Sequence, residues 1–398
     1  MKFNPMYLTK EEESILAGDN GEMLSKLLRL LVELGDSYGA DKLIEIKSAH
    51  TVLNIGLRFV TAAAKILRDV AEAGLKVKVR TTADPIIDMH YEEELGAATA
   101  LYQLQDQLEA DLKKIGVHGF TCTPYFLDNK PNKGDHCAWS ESSAVIYLNS
   151  VIGARSNREG GVVDIASAIT GKTPNMGLHL TENRKGGILY KIKVDDYNLL
   201  DLTSMGLKIG ETAGSVIPVI EGLPNISFDE LKNLGAASAA SGAVALIHVL
   251  GVTPEAQTME DAFQGDSPKD TIVITQDDLA EMEEKYSTEW DDPPVNIGIG
   301  CPHLSETEVK EVLNRIKGKK VLEGVNFWLC MCPDVIDTIR NSEYNEIVQN
   351  SGVKLAYHCP MLVPAPRPYT TNSAKSCVYV NASYRNIEEC IKLATEGR

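Results

Sequence analysis

The chain predicts an α/β fold of several domains, built from mostly parallel sheets with helical crossovers. Three observations carry this. Apolar residues switch repeatedly between a strand-like period of two and a helix-like period of 3.6. The strand-like runs are short and end at Gly, Pro, Asn or Ser. Residues 295–398 repeat strand then helix, the signature of an open sheet with crossovers. At 398 residues the chain is long enough for two or three domains. Hydrophobic residues make up 43% and charged residues 24%, which excludes a disordered or collagen-like chain.

The elements follow in order. Tyr7 to Leu34 reads as helix, because Thr9 and Glu12 fit a capping box and apolar residues recur at helical spacing. Leu43–Ile46 reads as a strand that ends at Ser48-Ala49-His50. Gly56 to Glu72 has an Ala-rich helical face, Leu75–Val79 alternates like a strand, and Glu92 to Ile115 is a second long helix. Val117–Thr121 reads as a strand ending at Cys122. From Trp139 to Pro218 the chain is rich in Gly, Asn and Ser between short apolar runs, the composition of loops that carry function on a scaffold. Leu234 to Leu250 reads as a buried helix of small residues. An acidic stretch follows, with Ile272–Ile274 as a strand and Asp277–Tyr286 as a solvated helix. The C-terminal part then predicts strands at Val295–Gly300, Gly324–Cys330, Val353–Tyr357 and Ser376–Val380. Helices are expected at Ser305–Ile316, Asp334–Asn350 and Asn386–Glu396. The expected division is 1–252, an acidic connecting segment 253–294, and 295–398.

Charge narrows the partners. The formal net charge is −17, which disfavours wrapping nucleic acid or an anionic membrane. Thirteen acidic residues against Lys269 and Lys285 crowd into Glu255–Asp292, so the remainder is only mildly acidic and can hold a basic pocket for an anionic substrate. No apolar run reaches the roughly 18 residues of a membrane span. The N-terminus, MKFNPMYLTKEEE, lacks the apolar core of a signal peptide, so the expected location is the cytoplasm. Eight cysteines in that compartment argue for reduced thiols, metal ligands or catalysis before disulfides.

Four predicted strands end in cysteine beside proline: Cys122, Cys301, Cys332 and Cys359. Thiolates at strand ends suit zinc or an iron–sulfur cluster. Buried apolar thiols account for them equally well. No C-x-x-C pair is present, which disfavours a zinc ribbon. Cys330 and Cys332 could ligate together, while Cys137, Cys377 and Cys390 read as structural. The segment WSESSAVIYLNSVIGARSNREGG, Trp139–Gly161, places Asn149, Arg155, Asn157, Arg158 and Glu159 on a Gly-flanked loop. Two arginines there can clamp a carboxylate or phosphate. A surface turn laced with ion pairs fits as well. In TTNSAK, Ser373 and Lys375 offer an anion site or a simple helix cap. There is no G-x-G-x-x-G with a following acid, no P-loop and no H-E-x-x-H.

Taken together these segments resemble the aconitase X family. The resemblance rests on SAH at Ser48–His50, TCTPY at Thr121–Tyr125, the Trp139–Gly161 segment, and AITGKTPNMGLHLTENR at Ala168–Arg184. It continues in LGAASAASGAVALIHVLGVTPEA at Leu234–Ala256, GCPHLSETE at Gly300–Glu308, HCPMLVPAP at His358–Pro366 and TNSAK at Thr371–Lys375. The order is collinear over nearly the whole chain. The resemblance implies an aconitase-like fold and a hydro-lyase that removes water from a small anionic hydroxy acid. (R)-5-Phosphomevalonate, giving trans-anhydromevalonate 5-phosphate, or cis-3-hydroxy-L-proline is the substrate it suggests. A non-catalytic metal-binding protein that keeps the fold is the alternative. It also implies an iron–sulfur centre on Cys122, Cys301 and Cys359: [4Fe-4S], with [3Fe-4S] or another iron centre as alternatives. Substrate binding is expected at Ser48, His50, Asn149, Ser150, Arg155, Asn157, Arg158, Glu159, Ser373 and Lys375. His50 and Glu141 are candidates for proton handling. The main base is expected on a separate small swivelling-domain subunit, in a heterodimer or heterotetramer. The sequence departs from the family's pattern at TVLNIGLRF, at TADPIIDMHYEE and at Tyr357-His358, near pocket-forming positions.

Overall fold

The computed structural model describes residues 6–53, 57–95, 99–362 and 369–397. Three parallel sheets organise the chain, each with its own apolar cluster. The first runs Arg80–Ala83, Ser48–Thr51, Cys137–Trp139 in spatial order. Leu28, Leu31, Leu67, Val70, Leu108 and Ile165 pack in its cluster. The second runs His248–Val249, Pro218–Glu221, Ile188–Ile192, Asp270–Ile274, around Tyr190, Leu202, Ile220 and Leu234. The third runs Lys354–Ala356, Asn326–Met331, Asn296–Leu304, Tyr369–Thr371, Ser383–Tyr384. Its strand Asn296–Leu304 is buried at every residue, as a parallel strand covered by helices on both faces must be. No helix among the described residues is long and apolar enough to cross a membrane.

Several elements differ from the periodicity reading, for identifiable reasons. The first helix is two, Lys10–Ala17 and Glu22–Tyr38, because Gly18 and Gly21 take φ of 94° and 102° and break the ladder. The Thr9–Glu12 capping box is present. Leu43–Glu45 pairs antiparallel with Lys172–Pro174, and Ser48–Thr51 is a separate strand. The strand expected at Leu75–Val79 lies at Arg80–Ala83, where buried Thr81 and Thr82 replace the apolar alternation. Phe120 makes a single bridge to Ala83 rather than a strand. The helix at Leu57–Glu72 is present; Gly56 lies outside the described residues. The helix expected over Glu92–Ile115 is present as Glu92–Leu95 and Thr99–Ile115, with 96–98 outside the described residues. The Gly-rich middle contains the helices Ser142–Tyr147, Gly161–Thr170 and Leu199–Ala213.

The small-residue helix is Phe228–Ser241, started by a Ser227–Glu230 capping box, and His248–Val249 beyond it is a strand. Ala374–Tyr379 is a helix rather than a strand, capped by the Ser373 hydroxyl. The acidic segment supplies the edge strand Asp270–Ile274 and the helix Gln276–Tyr286.

Candidate active site

The three strands of the first sheet run parallel and in register, with His50 opposite both Thr82 and Trp139. Their C-terminal ends therefore deliver adjacent residues to one edge, where open α/β sheets bind ligands. Asp84 follows one strand; Ser140 and Glu141 follow another. Phe120 bridges to Ala83, which brings Cys122 to the same edge. The third sheet faces it. Cys301 lies on Asn296–Leu304, just after Gly300. That glycine has φ of 111°, and a Cβ there would meet the Cys330 carbonyl oxygen at 2.2 Å. Cys359 follows Lys354–Ala356. Between the two sheets lies a cavity of about 780 Å3, lined by the three cysteines, Asp84, Glu141, Lys375, Arg158, Glu159, Gly160 and Gly161, with Met361 and Tyr379 at its edge.

A buried ion pair occupies its floor. Lys375 Nζ contacts Glu141 Oε1 and lies 3.2 Å from Ser143 Oγ. Glu141 also caps the helix Ser142–Tyr147 by accepting from the Ala144 amide at 2.6 Å. Burial pushes the Glu141 carboxyl up, but Lys375, Ser143 and that amide outweigh it and hold it at about 2. Burial also works against the Lys375 charge. Glu141 and the sulfurs of Cys301 and Cys122 hold its proton well above the usual lysine range. The Cys301 thiol is drawn down to about 6, first by its hydrogen bond with Cys359 and then, against burial, by Lys375. The same contact pushes Cys359 up. The contact with Cys359 and the nearby Lys375 charge thus favour the thiolate form at Cys301.

His50 is fully buried. Its Nδ1 lies 2.9 Å from Thr82 Oγ1, and its Nε2 lies 3.4 Å from Asp84 Oδ1. Asn129 Nδ2 donates to the Ala49 carbonyl at 3.0 Å and to Thr82 Oγ1 at 2.9 Å. A carbonyl can only accept, so the amide orientation is fixed. Thr82 Oγ1 thus accepts from Asn129 while contacting His50 Nδ1, and the other ring nitrogen, Nε2, faces Asp84. Burial pushes the Asp84 carboxyl up, while the His50 contact pulls against it.

At the mouth, Arg158 is exposed and donates to the Ala239 carbonyl at 2.8 Å and to the Tyr379 hydroxyl at 3.4 Å. Glu159 is half-buried, and loss of solvation pushes its carboxyl up to about 7 against the Asn157 amide. The helix Gly161–Thr170 begins here with no side-chain cap at Gly160. Its amides and dipole are turned toward the cavity wall.

Of the residues singled out from sequence, Cys122, Cys301, Cys359, Glu141, Arg158, Glu159 and Lys375 meet at this cavity, and His50 stands directly behind Asp84. Ser48 accepts from the Trp139 indole at 2.8 Å and Ser373 caps its helix while donating to the Cys301 carbonyl. Asn149 is committed to the Ser156 backbone and to buried Arg184, and Ser150 accepts from the Ile247 amide. Asn157 bonds Glu159 and the backbone of Met176 and Leu178. Arg155 donates to the His179 carbonyl and lines a different cavity beside Arg184 and Glu255. The expected two-arginine clamp is therefore divided: three residues apart on this loop, Arg155 and Arg158 line separate cavities. Cys330 and Cys332 are fully buried in apolar clusters. Asp84, Thr82 and Asn129 were missed from sequence. Thr82 and Asp84 sit in the polar run RTTAD, which does not alternate like a strand, and Asn129 lies in a loop with no motif of its own.

Family models described as the first, second and third domains of aconitase X match residues 5–182, 186–284 and 295–396. The phosphomevalonate dehydratase large subunit of Thermococcus kodakarensis is 41% identical over 94% of this chain and 95% of its own. That of Methanosarcina mazei is 39% identical over 99% and 98%. The cis-3-hydroxy-L-proline dehydratase of Pseudomonas aeruginosa is 30% identical over 97% of this chain and 70% of its own. A crystal structure of aconitase X from Thermococcus kodakaraensis, in its holo-form, superposes with a TM-score of 0.88 at 39% identity, covering 98% and 100% of the two chains.

Proposed function

The chain belongs to the aconitase X family, and from that premise we propose that it is the large subunit of an iron–sulfur hydro-lyase that dehydrates (R)-5-phosphomevalonate to trans-anhydromevalonate 5-phosphate. The observation that carries this reading is the meeting of Cys122, Cys301 and Cys359, from three separate segments, in one cavity whose rim carries Arg158. The donor set suits a cluster. All three thiols are free, and a fixed cation stands beside them. Among the described residues no three His, Cys, Asp or Glu side chains converge closely enough for a single ion. A cluster binds one thiolate per iron and does not require that. When bound as [4Fe-4S], it supplies an iron without a protein ligand, a Lewis acid for the departing hydroxyl.

The chain's own residues do the rest. Arg158 and the uncapped helix at Gly161 receive the anionic ends of the substrate. Lys375 and Glu141 fix a neutral pair beside the cysteines, which adds no repulsion. Asp84, held by His50, is the proton-handling carboxyl on this side of the cavity. Glu141, tied to Lys375, holds charge rather than moving protons. The base for the α-proton comes from a separate small subunit that closes over the exposed mouth at Arg158, Gly160 and Tyr379, in the cytoplasm.

Anaerobic purification tests this reading, with iron and acid-labile sulfide assayed per chain. Near-equal iron and sulfide are expected, lost in Cys122→Ser, Cys301→Ser or Cys359→Ser and retained in Cys332→Ser. Co-expression with the small subunit should then give turnover of (R)-5-phosphomevalonate. No iron or sulfide after anaerobic reconstitution overturns the mechanism. Turnover of cis-3-hydroxy-L-proline alone reassigns the substrate.

A further inference from the structure

His303 touches all three cysteine-bearing segments, though it lines no cavity described above. It is fully buried, two residues after Cys301. Its backbone amide donates to Cys122 Sγ at 3.2 Å. Its ring Nε2 lies 3.3 Å from the carbonyl oxygen of His358, the residue before Cys359. Its Nδ1 lies 3.0 Å from Thr121 Oγ1, the residue before Cys122. The carbonyl can only accept, so Nε2 carries a proton. Thr121 Oγ1 accepts from the Thr123 amide at 3.1 Å and lies 3.0 Å from Thr123 Oγ1, and with the ring proton on Nε2 alone it is the donor to Nδ1. The backbone of His303 is anchored in turn. Its carbonyl accepts from buried Lys232 at 3.1 Å, and Lys232 is held by Glu308.

We propose that His303 is a positioning residue that ties the segments of Cys122, Cys301 and Cys359 into one unit, setting the spacing of the three sulfurs and aiming an N–H at Cys122. Segments from three parts of a chain would otherwise relax independently. Ring bonds to two neighbours couple them, as partners behind metal ligands do. The amide on the Cys122 sulfur also stabilises thiolate charge, which raises the potential of a group bound there.

The inference rests on the reading of the three cysteines as ligands, but its first test does not require iron. In the full-length metal-free chain, site-resolved alkylation with iodoacetamide is followed by mass spectrometry. His303→Phe and Thr121→Val should speed the labelling of Cys122 and Cys359 together, on the order of tenfold, the worth of one or two lost hydrogen bonds. Thr121→Ser and His303→Gln, which keep a hydroxyl and a donor, should restore slow labelling. Cys137 and Cys390 serve as buried controls outside the three segments. Unchanged rates at Cys122 and Cys359, or equal acceleration at the controls, overturns the proposal. In reconstituted protein, Thr121→Val should lower the midpoint potential of the bound cluster relative to Thr121→Ser. An identical potential in the two variants also overturns it. A wild-type chain that takes up no iron refutes the ligand reading separately, and the labelling pattern still decides the role of His303.

Discussion

Lys375 and Glu141 show how a buried charge is kept. Each alone would lose its charge to desolvation; together they hold it. Removing one partner leaves an uncompensated ion, which typically costs about 3–5 kcal/mol. Lys375→Met should therefore lower stability by about that amount in urea unfolding, while the double variant Lys375→Met/Glu141→Gln should recover much of it. The pair also sets an acid limb. Glu141 sits at about 2 in the fold against an ordinary 4.5, so its contribution is complete above about 4.5 and fades as pH falls toward 2. Denaturant midpoints between those values should fall in the parent and stay flatter in Glu141→Gln. Glu159 has the opposite sign. Its carboxyl is pushed up to about 7, so it is neutral below that pH and ionised above it. An anionic substrate should bind less well as pH rises through about 7, seen as a rising KM that Glu159→Gln flattens. Arg158→Gln should raise KM by about tenfold or more, the worth of one charge-assisted hydrogen bond, with a smaller effect on kcat.

The elements are positioned by glycines where backbones meet. The helices Leu199–Ala213 and Phe228–Ser241 pack closely enough that a Cβ on Gly206 would lie 2.5 Å from the Leu234 carbonyl oxygen. A Cβ on Gly210 would lie 2.1 Å from Ser241 Oγ. Gly206→Val should separate the two helices and cost about 1–3 kcal/mol or more in thermal unfolding. Gly161 plays the same part at the cavity. A Cβ there would sit 2.0 Å from the Val52 carbonyl oxygen, with backbone on the far side of the clash. Gly161→Ala should shift the start of its helix and impair substrate binding more than iron content. These helices were partly legible. The capping boxes at Thr9 and Ser305 mark real starts, because a cap is a local contact written in three or four residues, whereas the Ser227 box begins its helix well before the expected Leu234. The strands Arg80–Ala83 and Tyr369–Thr371 were not, because their buried threonines satisfy hydrogen bonds that only a neighbouring segment supplies.

Across the whole molecule the site exists only where sheets face each other. The first sheet brings His50, Asp84 and Glu141; the third brings Cys301 and Cys359. A shared apolar cluster joins the second sheet's helices to the third sheet, with Leu207, Ala237 and Met282 against Tyr369, Ala374 and Cys377. The mouth is left open at Arg158 and Tyr379. The large chain alone should therefore bind iron yet show no turnover, and adding the small subunit should restore it, followed by substrate consumption in an anaerobic assay.

The sequence alone determined the α/β class, the parallel C-terminal sheet and the family. Each of these is written in local pattern: periodicity, caps, and short motifs whose order along the chain is collinear with relatives. Tertiary structure decided the rest. It divided Arg155 from Arg158, turned Asn149 and Asn157 to the backbone, locked Glu141 to Lys375, and brought Asp84 to the cavity and His303 against the cysteine-bearing segments. The reason is physical. A side chain's role depends on which distant backbone or charge desolvates or satisfies it, and residues 121, 303 and 358 become neighbours only after the first and third sheets have come together.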